Sequence, residues 1–325
     1  MATITSASEL LLRRVTWTIK RRLDGLLHGD YRTLLRGYGL DLADLREYQY
    51  GDDVRHIDWN VTARMQAPYV REFNEDRDVT AWFLLDLSAS VDFGSGARTK
   101  RAVAAEFVTL LAQVLSQHGN RVGALFFGSA LETVIPARTG RRHLLHLLDR
   151  MLKKPTQSTS SGTSSEKLPN NTGTDLAHYL NEAGQSVRRR SLVFVVSDFI
   201  SSTDWGPAMA RLSLRHEVIA VRLADPLESR LPDLGMVTLR DAETGEHLLV
   251  NTHSAKFRER FAAVAAAREE RVRAGFAHAG VDALELSTSG DIADEVFRFA
   301  ALRKRRAQLS GGGVSRKNVL EESAA

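Results

Sequence analysis

Apolar strand patterns alternate with amphipathic helix patterns through most of the chain, and this alternation restricts the fold more than any other feature. The segment "TAWFLLD" at 80–86 is a continuous apolar strand, and "KRAVAAEFVTLLAQVLSQHG" at 100–119 follows it with an apolar face at helical spacing. The segment "SLVFVVSDF" at 191–199 is apolar on both faces, as central parallel strands are. Strands joined by helices predict an α/β fold: an open, mostly parallel sheet with helices on both faces.

Other segments extend the same pattern. Further strands are predicted at "RVGALFFG", "LETVIPA", "HEVIAVRL" and "VDALELST", and further helices at "RRHLLHLLDRMLKK", "TDLAHYLNEAGQSV" and "TDWGPAMARLSLR". The segment "MVTLRDAETGEHLLV" predicts a hairpin. Residues 8–36 and 254–278 have helical patterns, whereas the Ser-, Thr- and Asn-rich residues 155–173 predict a mobile surface loop.

Composition excludes several classes of protein. The 325 residues include no cysteine, which rules out disulfides, thiolate nucleophiles and zinc–thiolate sites. No window approaches the roughly 18 uncharged apolar residues of a membrane span. The first residues lack the order of a secretory signal, because the basic residues follow the apolar run instead of preceding it. We therefore expect a cytoplasmic protein.

The net charge of +4 is unevenly distributed, with one basic cluster near each end of the chain. Such clusters can bind phosphate or anionic lipid, or can simply be solvated helix faces. The clusters comprise Arg13, Arg14, Lys20, Arg21, Arg22, Arg32, Arg36, Arg303, Lys304, Arg305 and Arg306.

Carboxylate and hydroxyl side chains stand where two apolar strands end. Asp86, Ser88 and Ser90 close the first strand with the spacing Asp-x-Ser-x-Ser, and alternate residues of an extended segment point the same way. Thr174 precedes a helix, and Asp198 closes another apolar strand. Since ligands gather at the carboxyl ends of parallel strands, these residues are candidates for one shared site.

An oxygen set without nitrogen or sulfur suits a hard cation, Mg²⁺, with Mn²⁺ or Ca²⁺ as alternatives. Two carboxylates and three hydroxyls only just balance a divalent charge, so the ion would accept a carboxylate from another molecule. This chemistry favours adhesion over hydrolysis, since no paired carboxylates hold a second metal. The residues alone also permit a plainer interpretation, in which Asp86 and Asp198 form turns and Thr174 caps its helix.

The Asp-x-Ser-x-Ser spacing with Thr174 and Asp198 resembles the metal-ion-dependent adhesion site (MIDAS) of von Willebrand factor A domains. The preceding segment, "REYQYGDDVRHIDWNVTARMQAPYVREFNEDRD", is similar to the signature of the bacterial DUF58 family. These are von Willebrand factor A-like proteins often encoded beside MoxR-type AAA+ ATPases. The resemblance implies a Mg²⁺ cofactor, a MoxR-type partner and the metal ligands Asp86, Ser88, Ser90, Thr174 and Asp198.

The resemblance and the composition of the chain together predict three parts, and the tail is assigned from its Ser- and Gly-containing sequence. Residues 1–75 would form an amino-terminal helix and a charged signature segment packed on the main domain. Residues 76–305 would form the von Willebrand factor A-like domain, and residues 306–325 a disordered tail. The long loop before Thr174 departs from the family pattern. Many relatives carry membrane helices before the signature, so a soluble member is implied here.

The charged signature segment has two interpretations. Its residues could form ion pairs that pin the segment to the sheet, with Trp59 and Tyr69 as apolar anchors, or they could dock a partner. The Gly51-Asp52-Asp53 triplet could hold two metals, but it lacks the apolar hairpin of polymerase sites. The residues concerned are Asp52, Asp53, Arg55, Asp58, Trp59, Arg64, Arg71 and Glu72.

The sequence therefore predicts a non-catalytic protein that binds an acidic residue of a partner through a metal ion and acts in complex assembly or maturation. One alternative is a metal-dependent phosphodiesterase or nuclease that uses the same oxygens. Another is a membrane or nucleic-acid binder that acts through the basic clusters. The sequence has no Gly-x-Ser-x-Gly elbow, which a serine hydrolase of the α/β type would need. It also has no glycine motif of the kind that binds the phosphates of nucleotides.

Overall fold

The computed structural model describes residues 8–12, 45–48, 57, 59–65, 67–71, 80–128, 131–152, 174–240 and 246–311. The chain forms two compact units. The first comprises Met1–Gly25 and Thr80–Phe299, and the second comprises Leu26–Val79 and Ala300–Ala325.

The elements are numbered here in chain order. The strands are β1 (Leu45–Glu47), β2 (Tyr69–Arg71), β3 (Thr80–Asp86), β4 (Arg121–Phe127), β5 (Leu131–Arg138), β6 (Leu192–Ser197), β7 (Glu217–Ala224), β8 (Met236–Arg240), β9 (His247–Asn251) and β10 (Asp282–Ser287). The helices are α1 (Trp59–Met65), α2 (Lys100–Gln117), α3 (Arg141–Leu152), α4 (Leu176–Ser186), α5 (Gly206–Arg215), α6 (Pro226–Ser229), α7 (Ala255–Ala279) and α8 (Ile292–Gly311). Residues 8–12 are also helical.

The first unit is built on a six-stranded sheet with the order β10-β7-β6-β3-β4-β5. Strands β10, β7, β6, β3 and β4 are parallel, and β5 pairs antiparallel with β4 at the edge. The α/β fold predicted from the sequence is confirmed, including the mostly parallel strand order. Because the central strands β3 and β6 are direct neighbours, their carboxyl ends lie side by side.

The central strands are apolar throughout because both faces of the sheet are covered. Phe83 and Phe194 stack with ring centroids 5.1 Å apart, and Phe107 of α2 packs edge-on against Phe194. Their neighbours Leu84 and Val195 join a second buried cluster with side chains of α4, α5 and α7. Alternate residues therefore enter different halves of the core, as expected for a strand with a helix layer on each side.

The helix α2 has an apolar face and clear sequence signals at both of its ends. Its apolar face is buried, and Thr99 caps its first turn by accepting a hydrogen bond from the backbone amide of Ala102 at 3.2 Å. Gly119 follows its end with φ of +79°, a left-handed conformation that favours glycine. The helix therefore begins and ends where the sequence predicts.

Other predictions from the sequence have mixed outcomes. Strands β8 and β9 form the predicted antiparallel hairpin, and α7 covers the predicted long helix. Helix α8 continues to Gly311, past the boundary at residue 306 that was predicted for a disordered tail. The loop predicted at 155–173 and most of the amino-terminal helix predicted at 8–36 lie outside the described residues. Among the described helices, none is both long and apolar enough to cross a membrane.

The second unit contains part of the charged signature segment. Strands β1 and β2 pair antiparallel, and the Tyr48 amide donates a 2.8 Å hydrogen bond to the carbonyl of Pro68. The Tyr69 amide donates to the Thr62 hydroxyl of α1 at 3.0 Å, which ties the helix to β2. Backbone and hydroxyl hydrogen bonds thus hold this segment together locally.

His216, at the end of α5, gives a prediction about pH. Its side chain is buried, and neither ring nitrogen has a hydrogen-bond partner among the described residues. Burial, with a contribution from Arg215, lowers the pKa of His216 below its ordinary value of 6.5. As the pH falls below 6.5, the unfolded chain binds a proton that the folded protein resists, so we expect the free energy of unfolding to fall.

The measurement is denaturant unfolding of the wild type and of His216→Leu at about pH 7.5 and about pH 5.5. We expect the variant to lose less stability than the wild type between the two pH values. An equal loss in both proteins would show that His216 does not contribute to the pH dependence.

Candidate metal site

The candidate site lies where β3 and β6 end. Leu85 pairs with Val196 in the parallel register, so Asp86 and Asp198 both follow the last paired positions of neighbouring strands. Both carboxylates are buried, and this burial, together with the nearby charge of Asp198, raises the pKa of Asp86. The structure therefore brings together the two acidic residues that the sequence predicted for one site.

Asp86 is held by two hydrogen bonds. Its Oδ1 accepts from the Ser88 amide at 2.9 Å, and its Oδ2 accepts from the Ser197 hydroxyl at 2.6 Å. Burial and the nearby Asp198 charge raise the pKa of Asp86 from 3.8 to about 6. A cation beside this carboxylate would stabilise its ionised form, because the positive charge offsets both the lost solvation and the repulsion from Asp198.

Ser88 and Ser90 present their hydroxyl oxygens to each other. The two Oγ atoms are 3.0 Å apart, which is a hydrogen-bond distance. Neighbouring ligands of an octahedral ion with bonds of about 2.1 Å are also roughly 3.0 Å apart, so the pair fits an edge of a Mg²⁺ coordination shell. The short 3₁₀ helix at Ala89–Asp92 fixes this spacing by turning the chain directly after Ser88.

Arg101 fastens the same turn from the side of α2. Its guanidinium donates to the Asp92 carboxylate and, through Nη2, to the Leu87 carbonyl at 3.1 Å. Leu87 stands between Asp86 and Ser88, so Arg101 braces the backbone that carries the candidate ligands. Asp92, the last residue of the 3₁₀ helix, therefore pairs with an arginine of α2.

Asp198 has a cationic partner inside the protein. Its Oδ2 lies 2.7 Å from the ammonium of Lys100, and both side chains are only 1% exposed. Its Oδ1 accepts a 3.0 Å hydrogen bond from the Ile200 amide, forming a turn at the strand end. Asp86 and Asp198 therefore both form turns, as the plainer interpretation predicted. Each carboxylate oxygen has further lone pairs, so turn formation and metal binding are compatible.

Thr174 lies beside the loop that follows Asp198. Its carbonyl accepts hydrogen bonds from the Ser201 hydroxyl at 2.9 Å and the Ser202 amide at 3.3 Å. The interpretation of Thr174 as a helix cap is wrong, because the next residue, Asp175, caps α4 by accepting from the His178 amide. Thr174 is buried beside the loop that follows Asp198, and its role as a metal ligand stays a prediction.

Sequence reasoning missed two residues that contact the predicted ligands, Ser197 and Lys100, and a third, Glu228, that contacts Lys100. The available signal for Ser197 was a polar residue at the carboxyl end of an apolar parallel strand, where ligand-binding groups gather. Lys100 and Glu228 join the site through a contact of 2.6 Å between the ammonium and Oε1. Nothing in the local sequence pattern indicates that Lys100 would turn into the core at the start of α2.

The donor set fits a hard divalent cation. The described residues contain no group of three or more His, Cys, Asp or Glu side chains placed to hold a metal, so any ion here must rely on hydroxyls as well as carboxylates. Asp86, Ser88, Ser90 and Asp198 supply such a mixture, and water can complete the shell of Mg²⁺. The set lacks the nitrogen and sulfur ligands that zinc sites use.

The signature residues are only partly described. Asp52, Asp53, Arg55, Asp58 and Glu72 lie outside the described residues. Trp59 begins α1 and is 69% exposed, which differs from the apolar anchor that the sequence predicted, and Arg64 in the same helix is also exposed. Arg71 ends β2, and Tyr69 is partly buried.

Residues 44–271 match the family described as "Protein of unknown function DUF58". The chain belongs to the DUF58 family. The uncharacterized protein Rv1480 of Mycobacterium tuberculosis is 37% identical to this DUF58 protein over 296 residues, which cover 91% of this chain and 90% of the mycobacterial one.

Two solved structures are similar in part. The conserved hypothetical protein BatB from Bacteroides thetaiotaomicron has 15% identity and a TM-score of 0.42, and the match covers 69% of this chain and 99% of BatB. The SpRpn10 VWA domain has 12% identity and a TM-score of 0.35, covering 68% of this chain and 94% of that domain. The fold of this DUF58 protein is established by its own strand order and register, which form the mostly parallel, von Willebrand factor A-like sheet that the sequence predicted.

Proposed function

We propose that this DUF58 protein is a non-catalytic binding protein that holds one Mg²⁺ at the ends of β3 and β6 and uses it to bind an acidic side chain of a partner. The observation that carries the proposal is the buried Asp86 carboxylate, whose ionised form a cation would stabilise, next to the hydrogen-bonded hydroxyls of Ser88 and Ser90. Asp86, Ser88, Ser90 and Asp198 would hold the ion, with Thr174 as a further candidate ligand.

The bound ion supplies a coordination position that a carboxylate can take in place of a water molecule. The residues of this chain do the rest. Ser197 donates to Asp86 Oδ2 and so fixes the orientation of that carboxylate, while Arg101 braces the turn through the Leu87 carbonyl. A site held this rigidly loses little conformational entropy when a partner binds.

We further propose that the partner is a MoxR-type AAA+ ATPase and that the pair acts in assembly or maturation of another protein complex, in the cytoplasm. This part of the proposal is supported by membership of the DUF58 family together with the resemblance described above. The von Willebrand factor A-like fold supports a role in protein interaction.

The experiment is co-purification of this protein with the MoxR-type ATPase of the same organism, in Mg²⁺ and in chelator. We expect retention in Mg²⁺ and release in chelator, because the contact passes through the ion. Ser90→Ala should reduce retention. Ser289→Ala is the matched control, since Ser287 and Ser289 form a similar hydroxyl pair, also 3.0 Å apart, at the exposed end of β10 without an aspartate like Asp86.

Retention that ignores both the chelator and Ser90→Ala would contradict a metal-mediated contact. Retention that is lost equally in Ser289→Ala would place the contact elsewhere. Steady hydrolysis of nucleotides or nucleic acids in Mg²⁺ or Mn²⁺ would contradict the non-catalytic part of the proposal.

A further inference from the structure

We propose that Lys100 is a resident cation of the metal site, which limits the affinity of the site for Mg²⁺ and keeps a bound ion attractive to an outside carboxylate. The inference rests on the proposed function and assigns to it a positioning residue that neither the family signature nor the Asp-x-Ser-x-Ser motif contains.

Lys100 is among the most completely buried polar side chains that the structure describes. Its ammonium lies 2.7 Å from Asp198 Oδ2 and 2.6 Å from Glu228 Oε1, and its side chain is 1% exposed. Lysine is almost never fully buried unless it is paired, and here one ammonium serves two carboxylates. One of those carboxylates is a candidate metal ligand, so the ammonium and a divalent ion would share Asp198.

The ammonium is held in place and cannot easily leave when an ion binds. The Lys100 amide donates a 2.9 Å hydrogen bond to the Phe93 carbonyl, which fixes the first turn of α2. Glu228 is fixed in turn, because its Oε2 accepts from the Asp225 amide at 3.2 Å in the capping box of α6. Asp225 also accepts a 2.9 Å hydrogen bond from the Ser95 amide, tying α6 to the loop between β3 and α2.

The charges at the site show what Lys100 does. Asp86, Asp198 and Glu228 would carry three negative charges when ionised, and Lys100 cancels one of them. The remaining charge equals that of one Mg²⁺, so an occupied site would be close to neutral and would not repel an approaching carboxylate. Without Lys100 the occupied site would be negative, which would strengthen metal binding and weaken adhesion.

The test is calorimetric titration of Mg²⁺ alone into the metal-free wild type, Lys100→Met and Glu228→Gln. We expect Lys100→Met to bind Mg²⁺ at least about tenfold more tightly than the wild type, because it removes a positive charge next to the ion. We expect Glu228→Gln to bind Mg²⁺ several-fold more weakly than the wild type. The substitution removes a negative charge, and Asp198 then becomes the sole carboxylate partner of Lys100 among these residues.

These opposite changes distinguish a cation that tunes the site from a lysine that only supports the fold, since a structural defect would weaken binding in both variants. Where Lys100→Met fails to fold, Lys100→Gln takes its place, because its amide can still donate to Asp198 or Glu228 without the positive charge and is expected to tighten Mg²⁺ binding in the same direction. Unchanged or uniformly weaker binding in the variants, with normal binding in the wild type, would overturn the role of Lys100 alone. No binding by the wild type would instead overturn the proposed metal site.

Discussion

Asp86→Asn is expected to stabilise the metal-free protein at pH 7 while abolishing its response to Mg²⁺. The pKa of Asp86 is raised from 3.8 to about 6, so burial of the ionised carboxylate at neutral pH costs about 3 kcal/mol of folding stability. This cost is fully present above the folded pKa and disappears as the pH falls toward the unfolded value. An amide can accept from Ser88 and donate to Ser197, so the variant keeps the local hydrogen bonds without the charge.

The measurement is denaturant unfolding of both proteins in chelator and in Mg²⁺ at pH 7. We expect the variant to be more stable than the wild type in chelator by up to about 3 kcal/mol. Mg²⁺ at about 100 times its dissociation constant should add about 2.7 kcal/mol to the wild type and nothing to the variant. A variant that is less stable in chelator would mean that Asp86 serves the fold as a turn residue only.

Lys100→Met is expected to destabilise the metal-free protein strongly. Removing the ammonium leaves Asp198 and Glu228 without their shared counter-charge, and a broken buried ion pair costs about 3–5 kcal/mol. The result should reverse in part when Mg²⁺ is added, because the ion can take over the charge of Asp198. Lys256→Met, at an exposed position of α7, is the matched control and should change stability by less than about 0.5 kcal/mol.

A double-mutant cycle separates the pair from its surroundings. Lys100→Met combined with Asp198→Asn should be less destabilised than the sum of the two single variants, because the double variant leaves one buried charge fewer without a partner. Unfolding free energies in chelator provide the readout. Additive effects would show that the contact between Lys100 and Asp198 contributes little to stability.

The sheet could be predicted from the sequence because its information is local. A strand buried on both faces, such as β6, needs apolar residues along its length up to the polar residue at its end, and a helix that covers it needs an apolar stripe such as that of α2. Chain topology then places the ends of the strands at one edge, which is why Asp86 and Asp198 could be assigned to a common site.

The remainder of the site depends on contacts between distant parts of the chain. Lys100 and Glu228 are 128 residues apart, and their meeting follows from how α2 and α6 pack at the sheet edge. A lysine that opens a helix is usually solvated, so the sequence favours a surface position over burial. Helix α8 extends beyond the predicted boundary because residues 306–309, Arg-Ala-Gln-Leu, all have high helical propensity, and the glycine run begins only at Gly311.

Calorimetric titration of Mg²⁺ into chelator-treated wild type and Asp86→Asn tests the central claim most directly, since it asks whether Asp86 and its neighbours hold an ion at all. We expect one Mg²⁺ to bind per wild-type chain and no measurable binding by the variant. Equal binding by both proteins, or none by the wild type, would contradict the assignment of a metal site to the ends of β3 and β6.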